Sequence, residues 1–117
     1  MENWEIDFLW LEVRHKVKSA LKLDALPEMK SILFLIGVQE LGIVKKDFSK
    51  EEKRDLMHVA ACALLEKDGY YRFEGRDQDG WPHWEVEKPF TIKGLDEQEM
   101  ILKKNIIEYF KNLDKAV

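Results

Sequence analysis

Cysteine is almost absent: Cys62 is the only one in 117 residues. No intramolecular disulfide can form, so packing must hold the fold, and a reducing cytoplasm is the expected compartment. Three prolines and six glycines are too few for a collagen-like or disordered chain. Serine is represented by Ser19, Ser31 and Ser49 alone. With three histidines beside them, a Ser-His-Asp arrangement has no local signature. Glycine-rich phosphate loops, CxxC, HExxH and DxDxDG patterns are all missing. No catalytic residue is assigned on that basis, and no cofactor is expected. The longest strongly apolar run, Ile32 to Val38, is broken by Gly37 and falls far short of the roughly 20 residues that cross a membrane. The first residues carry acids where a secretory leader carries Lys or Arg, so neither a leader nor a membrane association is expected.

What is present is apolar and charged in good measure. Hydrophobic residues make up 45% and charged residues 36%, which suits one compact domain over residues 1–117. Nineteen Lys and Arg against 23 Asp and Glu leave a net charge of −4. That balance argues against a general polyanion binder, which needs a concentrated basic face.

The spacing predicts a first helix capped by Asn3 and running to about Leu23. It carries two apolar stripes. Trp4, Phe8, Leu11 and His15 form one, and Ile6, Leu9, Val13, Val17 and Leu21 form the other. An arc that wide predicts two neighbours, or one neighbour and a second subunit. A second helix follows Asp24 with Pro27 in its opening turn, apolar almost all round and ending at Gly42. Gly37 in its middle implies close approach of another helix. The third helix opens on the capping box Ser49-Lys-Glu-Glu52 and ends near Gly69. Residues 70 to 88 switch to alternation, which predicts a hairpin turning at Asp77 to Gly80. The register that satisfies both faces opposes Tyr71 to Val86, Phe73 to Trp84, Arg72 to Glu85 and Glu74 to His83. Tyr71, Phe73, Trp84 and Val86 then form a face for the core. A last helix begins at Asp96, paired with Glu99, with Leu95 stapled to Met100. The expected fold class is mainly α, α+β at the margin: three helices, one β-hairpin, then a C-terminal helix.

Three groups of residues carry possible chemistry. His58 and Cys62 lie four apart on one helix face, as two metal ligands do, but zinc wants three or four, so no metal site is assigned. The hairpin tip gathers Glu74, Arg76, Asp77, Asp79, Trp81 and His83, a candidate small-molecule, metal or catalytic site. The competing reading is a plain Asp/Gly turn. Trp81 is the residue that a plain turn explains least, since an exposed tryptophan at a tip anchors partners. The order of helices and hairpin also matches a winged helix. Against it, Lys45, Lys46, Lys50, Lys53 and Arg54 are diluted by acids, and the would-be wing is acidic. Binding to nucleic acid is therefore not expected.

The run Asp55 to Ala60 (DLMHVA), followed by Tyr70 to Trp84 (YYRFEGRDQDGWPHW), resembles a small family of uncharacterised bacterial proteins. The resemblance covers much of the chain and implies no activity. The function expected from the residues is a small, soluble, non-catalytic interaction module that pairs with itself or another protein. The alternatives are the hairpin site and the winged-helix regulator.

Overall fold

The computed structural model describes residues 2–43, 45, 47–90 and 94–115. The chain runs α1 (Asn3–Leu21), α2 (Met29–Leu41), α3 (Lys50–Glu66), β1 (Tyr71–Arg76), β2 (Pro82–Val86) and α4 (Leu95–Lys115). Three helices, a two-stranded antiparallel hairpin and a final helix follow in the expected order. No helix of the described residues is long and apolar enough to cross a membrane. The fold gathers into two compact units: the residues up to 28 with those from 90 onward, and residues 29–89.

In the first unit α1 packs against α4. The helix is capped at Glu2, not Asn3, because Glu5 reaches back to accept from the Glu2 N–H at 3.2 Å. It ends at Lys22, whose φ of 56° turns the chain left-handed. Arg14 Nε donates to the Pro27 carbonyl at 2.9 Å and fixes the segment after the helix. Pro27 lies before α2 and not in its first turn. The two stripes of α1 part company. Ile6, Trp10, Val13 and Val17 are buried, whereas Trp4, Phe8 and Leu11 are 68%, 58% and 42% exposed. From α4 the unit buries Asn105, Ile106 and Ile107. That helix starts at Leu95 with Gln98 N–H on the Gly94 carbonyl, so Asp96 lies inside it. Leu95 is 82% exposed and does not staple the first turn.

In the second unit α2 lies on α3. An added Cβ at Gly37 would stand 2.0 Å from the Leu56 carbonyl oxygen, so the two backbones touch there. Around this contact Ile32, Ile36, Leu56, Ala60 and Leu65 are almost fully buried. Each large aliphatic among them contributes about 1.5–3 kcal/mol on leaving water. The box at α3 forms as read: Ser49 Oγ accepts from Glu52 N–H at 3.1 Å and Glu52 Oε1 from Ser49 N–H at 2.9 Å.

The hairpin keeps the expected register only at its open end. Tyr71 opposes Val86, Arg72 opposes Glu85 and Phe73 opposes Trp84. Glu74 is then bulged out, so Gly75 faces His83 and Arg76 faces Pro82. Gly75 takes a φ of +118°, which an L side chain resists, and this permits the bulge. The hairpin packs on α3, but its apolar face is not a closed core. Phe73 and Val86 remain 46% and 61% exposed.

Gly37→Ala should destabilise the fold by about 1–3 kcal/mol although alanine is the better helix former, because the methyl meets backbone that cannot yield. A fall in the urea midpoint at unchanged slope would show it; a rise would contradict the close contact.

Candidate functional site

The hairpin tip is built by its own polar side chains. Asp77 Oδ1 accepts from Asp79 N–H at 2.9 Å and from Trp81 N–H at 3.0 Å. Its other oxygen bonds His83 Nε2 at 2.8 Å. Those bonds hold the Asp77 carboxyl below its ordinary range, the His83 bond contributing most. His83 thus pairs with Asp77, and the expected pair with Glu74 is not made, because the bulge removes Glu74 from the position opposite it. Glu74 turns to Arg72 Nη2 at 3.1 Å, which also meets Glu85 at 2.6 Å. Asp79 is exposed at the turn. Trp81 is half-buried, so it is not the free aromatic tip that the sequence suggested.

Arg76 reaches across the turn and onto the end of α2. Its guanidinium donates to the Glu40 and Leu41 carbonyls at 2.8 and 2.9 Å and to the Gly80 carbonyl at 2.8 Å. The last carbonyls of a helix lack intrahelical partners and carry partial negative charge, so a cation fits there. The tip is therefore pinned to the helix pair. Trp84 fixes the other side by donating Nε1–H to Glu66 Oε1 at 2.7 Å.

His58 Nε2 and Cys62 Sγ are 3.4 Å apart, as their spacing implied. Burial pushes the Cys62 thiol up to about 11, which makes it a poor ligand and a poor nucleophile. No group of three or more His, Cys, Asp or Glu placed to hold a metal occurs among the described residues. In the basic stretch Lys45 pairs with Glu52, and Lys46 lies outside the described residues.

Another cavity lies in the first unit. A groove of about 390 Å³ runs between α1 and α4, lined by Phe8, Leu11, Glu12, His15, Phe110 and Lys111 among others. It continues the exposed stripe of Trp4, Phe8 and Leu11. The stripe was legible as a helical repeat. The share taken by Phe110 and Lys111 was not, because no local signal says which face of α4 meets α1.

Arg76→Met should cost about 2 kcal/mol through the three lost charge-assisted bonds, read by thermal or urea unfolding. A neutral result would free Arg76 for another role. Asp77 has a lowered folded-state pKa, so its contribution is present above about 3.9 and is lost as pH falls through the lower folded value. Asp77→Asn should therefore flatten the stability profile below about pH 4, where an unchanged slope would contradict the pairing with His83. No family model, no curated protein sequence and no solved structure matches the chain.

Proposed function

We propose that the chain is a soluble, cytoplasmic, non-catalytic interaction module that pairs with a second copy of itself through α1. One observation carries the reading. Trp4, Phe8 and Leu11 stand outward at helical spacing on a helix whose opposite stripe already supplies the core. A contiguous apolar strip of this kind marks a docking face. Trp4 and Phe8 expose at most ~150–250 Å² each, and Leu11 is smaller. Exposed by only 68%, 58% and 42%, they do not alone reach the ~800 Å² that each partner gives to a standard interface. The rim of the groove, with Phe110 and Lys111 of α4, must be covered too.

The charge along α1 favours a second copy as the occupant. Its first half holds Glu2, Glu5, Asp7 and Glu12, and its second half holds Arg14, Lys16, Lys18 and Lys22. Two such helices laid antiparallel set the acidic half of each against the basic half of the other, as a two-fold axis requires. Asp7 and Lys18 fall on the same flank of the stripe and would oppose each other across the axis. Lys103 approaches Asp7 at only 3.8 Å and leaves one side of that carboxylate open.

Light scattering should return twice the chain mass of 13.9 kDa at micromolar concentration. Trp4→Ser and Phe8→Ser should each weaken pairing by about 30-fold, the cost of losing one aromatic anchor, with the helical circular dichroism kept. A wild-type monomer at the highest soluble concentration would overturn the proposal.

A further inference from the structure

A second, smaller cleft of about 240 Å³ opens where the hairpin meets the last turns of α2 and α3. Phe73 and Trp84 form one wall, their rings 5.4 Å apart and inclined at 61°. The Trp84 indole holds the Glu66 carboxylate against that wall through its 2.7 Å bond, and Glu40 brings a second carboxylate to the lining. Arg76 is the cation among the described lining residues, and its charge is already turned onto backbone carbonyls. Lys67, which caps α3, does not line the cleft.

Against the one cation among the described lining residues, Arg76, the two carboxylates, the two rings and the helix ends favour positive charge. Glu40 belongs to the last turn of α2, and Ala63 and Glu66 to the last turn of α3, where helix dipoles are negative. Aromatic faces attract cations by their quadrupole, and paired rings are the means by which quaternary ammonium groups are bound. The protein's own Arg76 shows a cation settling at the end of α2. A primary ammonium needs three acceptors in a fixed array, whereas a quaternary one needs only charge, methyl contact and space. The volume suits a headgroup and not a larger ligand.

We infer that the cleft between the hairpin and the ends of α2 and α3 binds a quaternary ammonium group. The group comes from a free small cation such as choline or from a trimethylated lysine of another protein. The described lining residues all belong to the second unit, and the inference does not depend on pairing through α1.

The test follows the Trp84 indole N–H in proton–nitrogen correlation spectra, the resonance being identified by its loss in Trp84→Phe. Choline chloride and a short trimethyllysine peptide are titrated separately. Sodium chloride and the neutral isostere 3,3-dimethylbutan-1-ol are the controls. A saturating shift with either cation, absent with both controls, supports the site. Choline acting alone assigns a free quaternary ammonium ion, and tighter binding of the peptide assigns a protein-borne one. Glu66→Gln keeps an oxygen for the indole but removes the charge, and should weaken binding by about tenfold. Equal shifts with the controls, no shift with either cation, or an unchanged Glu66→Gln isotherm would overturn the inference.

Discussion

The second unit depends on a contact with no side chain on one of its two sides. Gly37 lets the backbone of α2 rest on the Leu56 carbonyl of α3. Close approach at that point gives the surrounding aliphatics their burial and brings the helix ends into reach of the hairpin. Arg76 then has the last carbonyls of α2 to bond, and Trp84 has Glu66 near the end of α3. A two-stranded hairpin is marginal in water by itself. Here it is held by a cation at one helix end and an indole at the other, more than by its apolar face.

That division of labour explains which parts of the hairpin were legible in sequence. Alternation fixed the pairs from Tyr71 to Phe73, because a slip there would turn every side chain over. It failed nearer the turn. Gly75 permits a bulge that pattern counting does not detect, and the bulge moved Glu74 from His83 to Arg72. The polar tip looked like a site because it is dense in charge. Most of that charge is engaged in closing the turn, through local bonds of Asp77, and in capping α2, where Arg76 makes long-range bonds that no spacing rule reveals. Glu40 and Glu66 were missed as lining residues for the same reason: each lies on a different helix, far in sequence from Phe73 and Trp84.

Helix termini show the same limit on a smaller scale. The Ser49 box is written in four adjacent residues and forms as read. At α1 the cap moved to Glu2, and at α4 the helix began at Leu95, each by a single residue. The apolar arc of α1 was read as too wide for one neighbour. The structure separates it into a buried stripe with Ile6, Trp10, Val13 and Val17 and an outward stripe with Trp4, Phe8 and Leu11. Helical phase sets Trp10 with Ile6 and Val13 and Trp4 with Phe8, but only packing shows which of the two tryptophans faces the protein's own core.

The proposed pairing rests on the polarity of charge along α1, and that polarity can be inverted in one copy at a time. The most direct measurement is sedimentation velocity on Asp7→Lys and Lys18→Glu variants, alone and mixed in equal amounts. Each variant alone should sediment mainly as a monomer, since like charges then oppose across the axis. The mixture should recover the dimer. In it the lysine introduced by Asp7→Lys meets the glutamate introduced by Lys18→Glu, and the unaltered Lys18 of the first chain meets the unaltered Asp7 of the second. A mixture that stays monomeric while the wild type dimerises would contradict antiparallel pairing through α1.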